Sequence, residues 1–114
     1  MARWAKDHDP ETLAARLRRA LGDRVTEKKM FGGVCFLLRG NMLCGASGPG
    51  LMFRVGRDQH RTALARRGAR AMEINGRRFE GFVWVDPDAC DARALRGWIA
   101  MAERYVAALP TKKG

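Results

Sequence analysis

From residue 10 the apolar positions fall four apart, at Leu13, Leu17 and Leu21, with Ala14 and Ala20 widening the stripe. That is the repeat of a helix with one buried face, and Arg16, Arg18 and Arg19 lie largely off it. Asp9 can cap the free amides of a first turn, Pro10 suits the first helical position, and Gly22 stands where the helix would end. The pattern predicts a helix over 10–21. Beyond it the period shortens towards two. Val25 to Met30 carries Glu27, Lys28 and Lys29, which suits an exposed or edge strand. Val34 to Arg39, a Gly40-Asn41 turn and Met42 to Ser47 read as a hairpin, apolar on both faces and so central in a sheet. In the register of that turn Leu38 faces Leu43, Leu37 faces Cys44 and Cys35 faces Ala46. The two thiols then share a face at roughly 7–8 Å, too far for an easy disulfide. Gly48-Pro49-Gly50 turns the chain into Leu51 to Val55, with Leu51, Phe53 and Val55 on one face and Met52 and Arg54 on the other.

A second helix over 58–67 has Leu64 as its only large apolar residue and Gly68 at its end. Ala71 to Ile74, the turn Asn75-Gly76 and Arg77 to Val85 form another hairpin, since Asn-Gly is the strongest two-residue turn signal. Phe82 and Trp84, alternating with Val83 and Val85, are assigned to the core. A closing helix capped by Asp88 or Asp91 buries Leu95, Trp98, Ile99, Ala102, Tyr105, Val106 and Leu109 at helical spacing, and Pro110 stops it. The order is one helix, four strands, a helix, two strands and a helix. This is an α+β domain, an antiparallel sheet of five to six strands covered by helices.

The sheet pivots on Met30-Phe31-Gly32-Gly33. Paired glycines between two strands allow a positive φ and close backbone approach, so a tight reversal or bulge is expected. Phe31, Val34, Phe36, Leu38 and Leu43 are expected in one core with Leu17, Trp98 and Tyr105. A backbone nest for an anion would need a helix N-terminus nearby, and a strand follows instead.

At 114 residues the chain is read as a single domain, 1–114, with its core over about 10–109 and flexible ends at 1–8 and 110–114. Hydrophobic content of 46% with 30% charged residues is a globular balance. No apolar run approaches the roughly 20 residues that span a bilayer. The start, with Trp4, Lys6 and His8, lacks the apolar segment of a signal peptide, so a cytoplasmic location is expected, without a membrane. Lys and Arg number 22 against 12 Asp and Glu, a net charge of +10 that favours nucleic acid or acidic partners. The candidate anion or partner patch is Arg57, Arg61, Arg66, Arg67 and Arg70 with Arg77 and Arg78 of the second hairpin. Cys35, Cys44 and Cys90 have no Cys-x-x-Cys spacing and no adjacent histidine, so free thiols are expected and no metal.

Catalytic chemistry finds no home in the pattern. Nothing places a base beside Cys35 or Cys44, and His60 is read as a surface residue. No spacing unites Glu27, Glu73, Glu80, Asp86 and Asp88, and no Gly-x-Gly-x-x-Gly opens a helix. No catalytic, cofactor or metal residues are assigned. Exposed aromatics on which a single-strand binder would stack bases are also missing; Phe79 alone flanks an arginine cluster.

Lys29 to Gly33, the apolar strand after it, the Gly-Asn turn with Met42, and Leu51-Met52-Phe53-Arg54-Val55 resemble the N-terminal domain of the TfoX/Sxy family. Gly81-Phe82-Val83-Trp84-Val85 and the last helix around Leu95 and Trp98 extend the resemblance over about 10–109. It implies a two-layer α+β sandwich like that of secretion chaperones, and no catalytic residues. Longer members of that family are bacterial competence regulators that act beside the cyclic-AMP receptor protein and carry a second, helical domain. The sequence ends at Gly114 and is read as the first domain alone.

The resulting expectation is a non-enzymatic bacterial regulatory module without cofactors. Its partner is a protein, of the transcription machinery or a regulator of it, and a homodimer stays open. The alternatives are a direct nucleic-acid binder using its arginine-rich surface, and a small-molecule-binding or enzyme domain.

Overall fold

The computed structural model describes residues 9–30 and 32–112. Asp9 caps the first helix, accepting from the Thr12 N–H at 3.2 Å and the Thr12 hydroxyl at 2.9 Å. Pro10 opens this helix, α1 (Pro10–Leu21), and Gly22 closes it at φ 66. A short 3-10 turn leads to β1 (Thr26–Met30), β2 (Gly33–Leu38), β3 (Asn41–Ser47) and β4 (Gly50–Arg54). Then come α2 (Arg57–Leu64), β5 (Ala69–Ile74), β6 (Arg77–Val85) and α3 (Ala92–Val106). Asp91 caps α3 by accepting from the Ala94 N–H at 2.8 Å, and Asp86 caps the 3-10 turn Pro87–Ala89 before it. The predicted element order is the observed one.

The six strands of the described residues form one antiparallel sheet in the order β1-β2-β3-β4-β6-β5. The charged β1 is an edge, as its Glu27, Lys28 and Lys29 require. One face carries the core. Val34, Phe36, Leu43, Leu51, Phe53, Val55, Val83 and Val85 meet Leu13, Leu17 and Leu21 of α1, Ala63 of α2, and Leu95, Trp98, Ile99 and Val106 of α3. Phe53 and Trp98 stack with ring centroids 5.5 Å apart, and the Arg66 guanidinium lies 5.2 Å from the Trp98 ring centre. Leu38 and Tyr105 are partly buried against this core. Phe31, expected there too, lies outside the described residues. The architecture is a two-layer α+β sandwich, with helices on one face of the sheet.

The first hairpin departs from the expected register. Its turn is Arg39-Gly40, both at positive φ (50 and 82), and pairs Leu38 with Asn41. A shift between Phe36 and Leu37 then leaves Leu43 as an extra residue in β3, so Phe36 meets Cys44 and Cys35 meets Gly45. That bulge sends the two thiols to opposite faces. Cys44 enters the helix-side core, and Cys35 lies on the far side. The second hairpin turns at Asn75-Gly76 as expected, with φ 54 and 77.

Phe82 and Trp84 correct a second expectation. Val83 and Val85 are fully buried in the core. Their neighbours Phe82 and Trp84 therefore point to the other face, where both are partly exposed. The strand could bury one of its two apolar faces beneath helices, and the smaller residues took it.

Candidate functional site

The Gly32-Gly33 stretch is a close-packed turn. Met30 pairs with Gly33, Gly32 holds φ 74, and a β-carbon on Gly33 would overlap the carbonyl oxygen of Ala46 on β3. The sheet brings this turn beside the N-terminus of α1. Asp9, Pro10, Glu11, Lys29, Met30, Gly32, Gly33 and Val34 line an open cavity of about 470 Å³ there. Its chemistry does not suit an anion. Asp9 already occupies the Thr12 amide, and Glu11 adds a second carboxylate to the first turn.

The three thiols are buried and free. Burial pushes each of them up from the ordinary thiol range, Cys44 furthest. None is a ready thiolate nucleophile. His60 is not the free surface group expected of it. It is half-buried, and its Nδ1 accepts the Gly81 N–H at 3.0 Å. Among the described residues, no three His, Cys, Asp or Glu side chains come together as a metal site, and no helix is long and apolar enough to cross a membrane.

The seven candidate arginines are divided between environments. Arg57 sits 3.8 Å from Glu80 and Arg78 3.3 Å from Glu73. Arg77 lies over the Phe79 ring and Arg66 over Trp98. Arg61 and Arg67 remain exposed, with no ion pair among the described residues. On α3, which the sequence reading did not include, the outward positions are Arg93, Arg96, Ala100 and Arg104. The helix period that fixes the buried stripe of α3 also fixes this exposed one, so the signal was available. Arg70 goes elsewhere, to the sheet face away from the helices, where its Nη2 donates to the Pro49 carbonyl at 2.8 Å.

Residues opposite one another in an antiparallel pair share a face, and the register therefore maps that far side. One row across all six strands reads Lys28, Cys35, Gly45, Met52, Trp84, Arg70. The next runs through Thr26, Leu37 and Met42, then Arg54 and Phe82. Neither row contains a carboxylate. Arg54 is held between rings, 5.6 Å from the centres of both Phe82 and Tyr105. Cys35, Met52 and Met72 are buried on this side without joining the helix-covered core. The helices that build the core pack on the opposite face, and Arg54 reaches Tyr105 of α3 at the end of β4.

A family model described as the TfoX N-terminal domain matches residues 11–105. No curated protein and no solved structure matches the chain.

Proposed function

Because this chain belongs to the TfoX N-terminal domain family, we propose that it is a bacterial regulatory module that works by binding another protein and not by catalysis. The family match carries the reading, and the helix layer suggests the means. Arg61 on α2, Arg67 in the turn after it, and Arg93, Arg96 and Arg104 on α3 are exposed and make no ion pairs among the described residues. Cations left without intramolecular partners draw acidic surfaces over long range and set association rate and partner choice. On this reading the partner is an acidic protein of the transcription apparatus, docked on α2 and α3 in the cytoplasm.

The groups that would have to serve a reaction are already engaged. The thiols are buried and hard to ionise, and the His60 ring nitrogen that faces β6 is taken by a backbone amide. Affinity capture from the native host tests the reading, comparing wild type with an Arg61→Glu, Arg67→Glu variant. Exposed charge changes should leave stability within about 0.5 kcal/mol while the captured protein is lost or falls several-fold. Equal capture by both proteins would remove the helix layer from consideration.

A further inference from the structure

The sheet face opposite the helices has a composition the regulatory reading does not use. Trp84 and Phe82 lie two residues apart on β6, roughly 7 Å along the strand, with their rings partly open to solvent. Each has an arginine directly opposite on the neighbouring strand, Arg70 beside Trp84 and Arg54 beside Phe82. Lys28 closes the far end of the same row on the edge strand. We propose that this face binds single-stranded nucleic acid, with bases stacked on Trp84 and Phe82 and phosphates drawn to Lys28 and Arg70.

Two properties select this occupant. Aromatic side chains on an open sheet offer their planes to unstacked bases, whereas a duplex keeps its base planes inside the helix. The cations flank the rings, and neither of the two rows holds a carboxylate, so a polyanion is the complementary ligand. A second copy of the chain fits poorly. A symmetric dimer through this face would set Lys28, Arg54 and Arg70 against the same positive field, in a protein whose net charge is +10. In these rows Thr26 is the one side-chain acceptor for a 2′-hydroxyl, and it stands on the opposite edge strand from the rings. The surface therefore reads stacking and phosphate and not the sugar. This inference goes beyond the protein-binding reading, uses the opposite face, and stands or falls independently of it.

The test is fluorescence anisotropy of the full chain with labelled thymidine and uridine dodecamers and a duplex of equal length, over a salt series. Wild type is expected to bind both single strands comparably and tighter than the duplex. Trp84→Ala and Phe82→Ala should each weaken single-strand binding about tenfold and leave the salt slope intact. Arg70→Gln and Lys28→Gln should each lower that slope by about 0.7, and Arg96→Gln on the helix side should not. Trp84→Phe keeps a stacking ring and protects the test against misfolding: binding should persist, while the tryptophan quenching that accompanies it falls. Tighter duplex binding, a tenfold preference for one sugar, or unchanged affinity in folded Trp84→Ala would each overturn the proposal. So would a concentration-dependent dimer that Trp84→Ala abolishes, found without oligonucleotide binding; that result would give the face to a second copy.

Discussion

The backbone N–H of Gly81 donates to Nδ1 of His60 at 3.0 Å, and the Gly81 carbonyl accepts from both Val55 and Gly56. One residue of β6 thus secures the end of β4 and the polar helix α2, which brings little apolar surface of its own. His60→Ala would leave the Gly81 amide without its acceptor and is expected to cost about 1–2 kcal/mol. His60→Asn, whose side-chain oxygen can stand near the Nδ1 position, should recover part of the loss. Urea midpoints for the three proteins check this, and equal midpoints would deny the bond any structural weight.

Gly33 and Gly32 should fail for different reasons. Gly33→Ala drives a β-carbon into the Ala46 carbonyl, an overpacking expected to cost about 2–3 kcal/mol. Gly32 has open space around it and is constrained by its φ of 74. Gly32→Ala should therefore cost less than Gly32→Val, because a β-branched residue tolerates that region worst. At Gly33 even the smallest side chain should do most of the damage. The midpoint ranking of these variants separates the two mechanisms.

Trp98 is 2% exposed and stacks on Phe53. Trp98→Ala should destabilise by about 3–5 kcal/mol, and Trp98→Phe by clearly less. A loss below about 1 kcal/mol in Trp98→Ala would contradict the packing of α3 on the sheet.

The exposed ion pair between Arg18 of α1 and Glu27 of β1 holds the Glu27 carboxyl below the usual carboxylate range, chiefly through the hydrogen bond from Arg18. A depressed folded-state value means that the pair stabilises at neutral pH. Its contribution is full above the ordinary glutamate value, 4.5, and is lost as pH falls through the lower folded one. Stability measured from pH 6 downward should show a shallower acid decline in Glu27→Gln than in wild type. Solvent screening keeps the difference small.

Cys44 combines full burial with the largest upward shift of its thiol. At mildly alkaline pH a thiol reagent should leave it unmodified in the native protein and label all three cysteines in urea. Rapid native labelling of Cys44 would mean that β3 opens far more readily than its packing allows.

Helix positions and the succession of strands along the chain were legible because their signals are local: leucines four apart, aspartate caps, an Asn-Gly turn. The face that β6 turns to the helices was not. Alternation says that Phe82 and Trp84 share one side and Val83 and Val85 the other, but both sides are apolar. Which is covered depends on where α1 and α3 land, and no local spacing records that. The first hairpin failed in the same way. Arg39 accepts φ 50, a conformation arginine does not advertise, and the bulge at Leu43 reverses the parity of everything beyond it. The arginine patch was drawn along the sequence, while strand register removed Arg70 from it to the other face.

Strand order also shapes how the chain finds its fold. The pairings β1–β2, β2–β3, β3–β4 and β5–β6 join consecutive strands and can zip from their turns. The pairing of β4 with β6, where Leu51 meets Val85 and Arg54 meets Phe82, has to close a loop carrying α2 and all of β5. Closing that loop is the entropic barrier of this topology. Substitutions at Phe53 or Val83, which face each other across that seam, should slow refolding, whereas those in the outer β1–β2 ladder should mainly speed unfolding.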